Sequence, residues 1–113
     1  MKYSLTIVIP AYNEAGSIQQ VLEDMMHTVL YEGLQVIVVN DGSKDQTLQL
    51  LQAFQKSNPS FPLRVISHRL NRGYGGALKS GIYQAKTEFV VTMDADGQHR
   101  MEDLPKLYET LIH

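Results

Sequence analysis

Two kinds of hydrophobic pattern alternate along the chain. Short apolar runs rich in Val and Ile predict four buried strands, at residues 5–9, 36–39, 63–66 and 89–93. Segments with an apolar residue every three or four positions predict amphipathic helices, within residues 18–29, 48–54, 77–85 and 104–111. This alternation predicts a mostly parallel sheet with helices on both faces, the doubly wound, Rossmann-like α/β class.

Polar side chains follow the ends of the predicted strands. The carboxyl ends of parallel strands meet at one edge of the sheet, and ligands bind outside that edge where the strand order reverses. The residues that this topology gathers there are Tyr12, Asn13, Glu14, Asp41, Ser43, Arg69, Arg72, Asp94 and Asp96. This set has the groups to hold a nucleotide, a diphosphate and a metal ion. Asn13 is also expected to be the N-cap of the first helix.

The composition limits the class of protein. A chain of 113 residues has room for one domain, because domains of about 100 to 150 residues are the commonest size. The chain has no cysteine, so a metal would need oxygen or imidazole ligands. The net charge of -2, with scattered basic residues, argues against a nucleic-acid surface. No apolar run approaches the roughly 20 residues that span a bilayer, and residues 5–9 are too short for a signal peptide, so we expect a cytoplasmic location.

The segment Asp94-Ala95-Asp96 carries the strongest single signal for a metal site. Its two carboxylates, one residue apart just past a buried strand, can converge on a hard divalent cation such as Mg2+ or Mn2+. Gln98 would add a neutral oxygen ligand. Such a cation would neutralise charge on a departing diphosphate. The alternative is that these acids cap the next helix or occupy a turn, where Asp is common.

Three further residues are candidates for contact with a nucleotide. Asp41 ends a strand and can accept a hydrogen bond from a base or a ribose hydroxyl, while Gly42 lets the backbone approach a ligand closely. Tyr12 can lie against a nucleoside, and Glu14 can reach the ribose. The structural alternative for Asp41 is an Asx turn. The alternative for Glu14 is an acid in the first helical turn, favoured by the helix dipole.

The remaining charged and nucleophilic residues give weaker signals. Arg72 and Lys79 lie near the glycine-rich residues 73–76 and can flank a diphosphate, although simple solvent exposure also explains them. These glycines do not have the spacing of a Walker loop. The four histidines, His68 included, show no metal-ligand spacing and are expected to have surface roles. Neither a Ser-His-Asp triad nor a cysteine nucleophile can be built at this edge.

Four motifs, taken together, resemble glycosyltransferase family 2. They are IVIPAYNE at residues 7–14, VNDGS at 39–43, NRGYGGA at 71–77 and MDADGQ at 93–98. They occur in the family's order over nearly the whole chain, so their joint specificity is high although each motif alone is moderate. Within the family, the chain looks most like the polyprenyl- or dolichyl-phosphate sugar synthases, such as dolichyl-phosphate mannosyltransferase.

The resemblance implies a GT-A fold and an inverting transfer from a UDP- or GDP-sugar, with Mg2+ or Mn2+ as cofactor. The acceptors that it implies include a polyprenyl phosphate at the cytoplasmic face of the membrane. Carried over by motif, the residues of the nucleotide-sugar site are Pro10, Ala11, Tyr12, Glu14, Asp41, Lys79, Asp94 and Asp96. The metal ligands carried over in the same way are Asp94, Asp96 and Gln98.

The chain is shorter than a complete domain of this family. A complete domain of this type continues for roughly another hundred residues, so we expect residues 1–113 to be its nucleotide-sugar-binding part, with the catalytic base beyond residue 113. Glu102 and Asp103 are interpreted as acids of a first helical turn. A donor-binding half alone would leave part of the sheet uncovered, which predicts a homodimer or another partner at that region.

Two other classes of function are open alternatives. One is a non-catalytic nucleotide-sugar-binding module that a partner chain completes. The other is a phospho-receiver domain of the same α/β class, which needs an acidic pair after the first strand and an aspartate after the third. Residues 10–12 and 67–68 supply neither, so this is the weaker alternative.

Overall fold

The computed structural model describes residues 4–28 and 33–95, where strands and helices alternate. The strands are β1 (Leu5–Ala11), β2 (Leu34–Asp41), β3 (Leu63–His68) and β4 (Phe89–Thr92). The helices are α1 (Ile18–Thr28), α2 (Thr47–Ser57) and α3 (Gly73–Gln84). The helix predicted at 104–111 and Val29 lie outside the described residues. None of the helices in the described stretches is long and apolar enough to cross a membrane.

The four strands form one parallel sheet in the order β3-β2-β1-β4. The chain moves outward from β1 to β3 and then returns to the other side of β1. This is the reversal of strand order beside which doubly wound sheets bind their ligands. The predicted doubly wound α/β class is confirmed.

Successive strand residues face opposite sides of the sheet. Ile7 and Ile9 belong to the core that includes the apolar residues of α1 and α2. Val8 and Val39 belong to a second core with Ala77 of α3. Because helices cover both faces of the central strands, these strands are continuous apolar runs and show no alternation with polar residues.

The helix α3 approaches the sheet most closely at Gly81. A Cβ at this position would lie 2.3 Å from Cγ1 of Val8 and 3.2 Å from Cγ2 of Val39. A larger residue would have to push the helix away from the strands. The glycine therefore fixes how α3, whose first turn borders the carboxyl edge of the sheet, lies over β1 and β2.

The connection between β1 and α1 is longer than predicted. The helix begins at Ile18, so the prediction that Asn13 is its N-cap is wrong. Asn13 has a φ of 54°, in the left-handed region that Asn tolerates better than most residues. Its backbone N–H donates to Oγ of Ser43 at 3.0 Å, and its side-chain oxygen accepts from the N–H of Lys44 at 2.8 Å. Asn13 thus ties the loop after β1 to the loop after β2.

Candidate functional site

A cleft of about 260 Å³ lies at the carboxyl edge of the sheet, beside the reversal of strand order. The residues predicted from the sequence that line it are Pro10, Ala11, Tyr12, Glu14, Asp41 and Asp94. The structure adds Asn71, Gly73, Tyr74, Ala77 and Ala95 to this lining. All four sequence motifs therefore contribute to one cleft.

Asp41, the last residue of β2, is buried and tightly held. Its Oδ1 accepts one hydrogen bond from Nδ1 of His68 and another from the backbone N–H of Arg72, both at 2.8 Å. The side-chain amide of Asn71 donates to the carbonyl oxygen of Asp41 at 3.2 Å. The loop between β3 and α3 therefore wraps around the end of β2 and fixes the carboxylate.

The surroundings of Asp41 keep its carboxyl group ionised. Burial by itself would raise the pKa of this group. The hydrogen bond from His68, those from the backbone of Arg72 and Gly73, and the attraction of the imidazole outweigh burial and hold the pKa below its ordinary value. An ionised carboxylate only accepts hydrogen bonds. Asp41 is therefore suited to a ligand that presents an N–H or a hydroxyl group.

His68 contradicts the expectation that the histidines have surface roles. It ends β3 and is buried, with 7% of its surface exposed. Its Nε2 lies 2.8 Å from Oγ of Ser80 on α3, while its Nδ1 faces Asp41. The expectation that no Ser-His-Asp arrangement can be built at this edge is therefore wrong, although Ser80 lies outside the lining of the cleft. The sheet register explains the contact, because His68 and Asp41 are paired residues of β3 and β2. His27 is exposed, as expected, and the two histidines at the end of the chain lie outside the described residues.

Gly42 allows two loops to meet beside Asp41. Its φ is 73°, and a Cβ there would lie 2.6 Å from the backbone nitrogen of Asn71. A side chain would therefore clash with backbone as well as strain the turn. The sequence predicted that Gly42 permits a close approach by a ligand. The group that approaches it in the structure is the protein's own β3–α3 loop.

The loops after β1 and β4 form another wall of the cleft. Oγ of Ser17 lies 2.7 Å from the carbonyl oxygen of Ala95 and 3.1 Å from Oε2 of Glu14. The carbonyl oxygen of Glu14 accepts from the N–H of Ile18 at 2.9 Å, so Glu14 lies in the turn that leads into α1. Its side chain still lines the cleft, and the 42% exposed Tyr12 lines it as well. No sequence pattern had indicated the contact between Ser17 and Ala95.

Asp94 follows β4 and is partly exposed. The hydroxyl of Tyr74 donates to its Oδ1 at 3.4 Å. Burial, and then the nearby Asp94 carboxylate, raise the pKa of Tyr74, so the phenol keeps its proton at neutral pH. A carboxylate that lines the cleft is a hard oxygen ligand, and its chemistry fits Mg2+ or Mn2+.

The other predicted metal ligands, Asp96 and Gln98, lie outside the described residues. Within residues 4–28 and 33–95, no three His, Cys, Asp or Glu side chains are grouped as a metal site would require. The described part of the chain therefore supplies one of the predicted ligands, Asp94. The full ligand set stays a prediction from the sequence.

Lys79 does not line this cleft. It borders a second, open depression together with Arg72, Ser80 and Tyr83. The position of Lys79 therefore gives no support to the predicted contact with a diphosphate. Arg72 contributes its backbone N–H to Asp41, and its side chain is exposed beside Lys79.

A doubly wound parallel sheet with a polar cleft at the strand reversal defines a class of nucleotide-binding α/β proteins. Comparison with known proteins narrows this class to one family. The family model described as glycosyl transferase family 2 matches residues 6–113. The chain belongs to this family.

Curated relatives carry the names of polyprenyl-phosphate sugar transferases. The dolichyl-phosphate beta-glucosyltransferase of Dictyostelium discoideum is 31% identical over 96% of this chain and 35% of its own length. The undecaprenyl-phosphate 4-deoxy-4-formamido-L-arabinose transferase of Pseudomonas aeruginosa is 37% identical over 93% of this chain and 31% of its own length. The chain thus spans about a third of the length of these relatives.

Solved structures of similar fold include nucleotide complexes. A mannosyltransferase from Pyrobaculum calidifontis, in complex with GDP-Man and Mn2+, matches with a TM-score of 0.84 and 28% identity over 91% of this chain and 30% of that one. TarS of S. aureus, in complex with UDP, matches with a TM-score of 0.83 and 26% identity over 96% of this chain and 32% of that one. These neighbours are GT-A glycosyltransferases, so the predicted fold is confirmed.

Proposed function

We propose that the chain is the donor-binding part of a metal-dependent, inverting glycosyltransferase that transfers a sugar from a UDP- or GDP-sugar to a polyprenyl phosphate. The observation that carries the proposal is the meeting of Tyr12, Asp41 and Asp94 in one cleft. The complexes of the structural neighbours with GDP-Man and UDP support the donor. The dolichyl-phosphate and undecaprenyl-phosphate names of the relatives support the acceptor.

The buried side of the cleft would bind the nucleoside. Asp41, ionised and able only to accept, would take a hydrogen bond from the base. Uracil and guanine each present a ring N–H on their pairing edge. Cytosine and adenine present an amino group there beside an unprotonated ring nitrogen, whose lone pair would face the carboxylate and repel it. The carboxylate therefore favours UDP or GDP over CDP or ADP. Tyr12 would lie against the nucleoside, with Pro10 and Ala11 beside it.

The exposed side of the cleft would bind the diphosphate. Asp94, Asp96 and Gln98 would hold Mg2+ or Mn2+ there, and Glu14 would reach the ribose. When bound, the cation supplies Lewis-acid stabilisation of the charge on the leaving nucleoside diphosphate. Tyr74, whose hydroxyl lies 3.4 Å from Oδ1 of Asp94, borders the same side of the cleft.

Inversion follows from a single displacement at the anomeric carbon. An acceptor oxygen forms a bond to this carbon on the face opposite the diphosphate, while the bond to the diphosphate oxygen breaks and the nucleoside diphosphate leaves. The oxygen of a polyprenyl phosphate is already anionic, so its positioning contributes more than proton removal. A catalytic base beyond residue 113 stays a prediction for a hydroxyl acceptor. A lipid-phosphate acceptor would place the protein at the cytoplasmic face of the membrane.

Calorimetric titration of the chain tests the donor assignment. The four ligands are UDP, GDP, CDP and ADP, each with Mn2+ and then with a chelator. We expect UDP or GDP to bind more tightly than CDP and ADP, with an affinity that Mn2+ raises. Asp96→Asn should remove the increase due to Mn2+ and leave the free energy of unfolding almost unchanged. Equal binding of all four nucleotides, or no binding, would contradict the proposal.

Transfer is measured separately, with the sugar conjugate of the bound nucleotide and a polyprenyl phosphate in detergent. Product with inverted anomeric configuration supports the full proposal. Because the chain spans about a third of the length of its relatives, donor binding without transfer fits both the proposal and the alternative of a nucleotide-sugar-binding module. Transfer that appears only when a second protein chain is added favours the module that a partner completes. β4 is an edge strand of the described sheet, and its Val90 is 38% exposed. Homodimerisation through that region stays a prediction, which sedimentation of the chain with and without nucleotide would check.

A further inference from the structure

We propose that His68 is a positioning residue for donor recognition, and that together with Ser80 it orients the Asp41 carboxylate toward the base. This inference rests on the proposed function, in which Asp41 accepts a hydrogen bond from the nucleobase. It assigns a specific role to a buried histidine outside the lining of the cleft.

The three residues come from three different elements. Asp41 ends β2, His68 ends β3, and Ser80 lies in α3. The imidazole bridges the other two side chains, with Nδ1 2.8 Å from Oδ1 of Asp41 and Nε2 2.8 Å from Oγ of Ser80. The side chains of Asp41 and His68 are each 4% exposed. The hydrogen bond between Asp41 and His68 is therefore shielded from water, which makes such a bond electrostatically stronger, whereas Ser80 is partly exposed and borders the second depression.

The direction of the hydrogen bonds follows from the chemistry of the groups. A carboxylate has no proton to give, so Nδ1 of His68 must be the donor to Asp41. In the neutral imidazole, Nε2 then has no proton and accepts from the hydroxyl of Ser80. The hydroxyl of Ser80 can therefore pair with the tautomer that Asp41 selects. The backbone N–H of Arg72 shares the same carboxylate oxygen.

The two donors that converge on Oδ1 restrict rotation of the carboxylate. A carboxylate held by one point can turn about its Cβ–Cγ bond, whereas donors from two directions select one orientation. This fixes the direction in which Asp41 presents its acceptor lone pairs to the cleft. Preorganisation of this kind lowers the cost of binding, because the group is ordered before the ligand arrives.

A matched pair of variants separates positioning from packing. His68→Leu keeps the bulk of the side chain and removes the donor. His68→Asn presents an amide N–H near the place of Nδ1 without reaching Ser80. Each variant is titrated with whichever of UDP and GDP binds the natural chain, and with the same nucleotide methylated on its ring N–H, which cannot donate to Asp41.

We expect His68→Leu to weaken binding of the unmodified nucleotide by about 10- to 100-fold, the range for a hydrogen bond to a charged group. Binding of the methylated nucleotide should change little, and His68→Asn should recover most of the lost affinity. Ser80→Ala removes only the distal hydrogen bond and should weaken binding by about two- to fivefold.

The outcomes distinguish this inference from the proposed function. If neither UDP nor GDP binds the natural chain, the proposed function fails, and the positioning role fails with it. If the nucleotide binds but His68→Leu weakens both ligands equally, only the positioning role is overturned. Nitrogen-15 NMR of the free chain gives a second measurement: we expect the proton of His68 on Nδ1, and a neutral ring protonated only on Nε2 would overturn the positioning role.

Discussion

Two carboxylates line the same cleft and are held in different ways. Asp41 is 3% exposed and receives hydrogen bonds from a buried imidazole and a backbone N–H, both at 2.8 Å. Asp94 is partly exposed, and the hydroxyl of Tyr74 reaches it at 3.4 Å. The surroundings of Asp41, with Gly42 and the loop after β3, are called the Asp41 corner below. The surroundings of Asp94, with Ala95 and Ser17, are called the Asp94 corner.

The difference fits the proposed binding of the base near Asp41 and of the metal ion near Asp94. The Asp41 corner is organised by the protein before any ligand binds, which suits the reading of a rigid, planar base. The Asp94 corner keeps its carboxylate accessible to solvent, which suits a cation that brings its own charge and some of its own water. We therefore expect changes at the Asp41 corner to affect nucleotide binding with or without metal, and changes at the Asp94 corner to affect only the metal-dependent part.

The largest expected effect is a loss in the free energy of unfolding when Gly42 is replaced by a residue with a side chain. Gly42→Ala forces a Cβ against the backbone of Asn71 at a positive φ and should lower the free energy of unfolding by about 2 to 4 kcal/mol. Urea denaturation measures this loss. Gly16→Ala is the matched control, because its Cβ meets no atom within 4 Å. Equal stability of the two variants would contradict the close contact of the two loops.

Asp41→Asn should produce the largest loss of binding. It keeps the shape of the side chain but replaces an acceptor-only group with an amide, and we expect affinity for UDP or GDP to fall about 10- to 100-fold. The fall should be the same with Mn2+ and with chelator, as calorimetry would report. Asp24→Asn, an exposed carboxylate on α1, is the control. Unchanged affinity in Asp41→Asn would favour the alternative that Asp41 only stabilises a turn.

Asp94→Asn should affect only the metal-dependent part of nucleotide binding. Loss of a metal ligand should reduce affinity in Mn2+ by about tenfold or more, while affinity in chelator and the free energy of unfolding stay nearly the same. Glu88→Gln, exposed before the amino end of β4, is the control. A loss of equal size with and without Mn2+ would mean that Asp94 contacts the nucleotide directly.

Ser17→Ala should give a smaller effect of the same kind. The hydroxyl of Ser17 holds the carbonyl oxygen of Ala95, between the two predicted acidic ligands, so its loss loosens their spacing. We expect Mn2+-dependent affinity to fall about two- to fivefold, with binding in chelator unchanged. Calorimetry of Ser17→Ala beside Ser57→Ala, an exposed serine at the end of α2, measures this. Identical binding by both variants would contradict the role of Ser17 in holding the spacing of the predicted metal ligands.

The pH dependence of the free energy of unfolding tests whether the Asp41 corner holds its carboxylate in the ionised form. The pKa of Asp41 is lowered from 3.8 in the folded chain, so its contribution is fully present above the unfolded pKa and is lost as pH falls through the folded value. The advantage of the natural chain over Asp41→Asn in free energy of unfolding should shrink below about pH 4. Urea denaturation of both chains at pH 7 and pH 3 measures this change. A constant advantage would mean that Asp41 is not held in its ionised form.

The sequence was sufficient to predict a mostly parallel sheet and the edge at which its strands end, although β1, β2 and β3 each continue two residues past their predicted ends. Continuous apolar runs such as 36–39 are typical of strands covered on both faces, and the carboxyl ends of parallel strands share one edge. That reasoning brought Asp41 and Asp94 to the same cleft. The glycine-rich residues 73–76 border this edge as well, because only a short loop separates them from the end of β3.

What failed depended on geometry that a linear pattern does not contain. His68 was assigned to the surface because its contact with Asp41 depends on the register of two strands separated by a helix. Lys79 borders the second depression, because its place after the glycines does not determine which side of α3 it occupies, and its contact with a diphosphate stays a prediction. Asn13 was assigned to a helix start that lies five residues later, at Ile18. Loop length and helix phase are set by tertiary packing, which propensity alone does not determine.

Paramagnetic broadening of backbone amide signals by Mn2+ tests most directly whether the metal ion binds at the Asp94 corner and away from the Asp41 corner. The backbone amides of the chain are followed by NMR with saturating UDP or GDP, whichever binds, while Mn2+ is added at substoichiometric amounts. We expect the amide signals of Asp94 and Ala95 to broaden first, and those of His68 and Arg72 at the Asp41 corner to broaden last. Broadening that begins at the Asp41 corner, or that spreads evenly over the cleft, would contradict it.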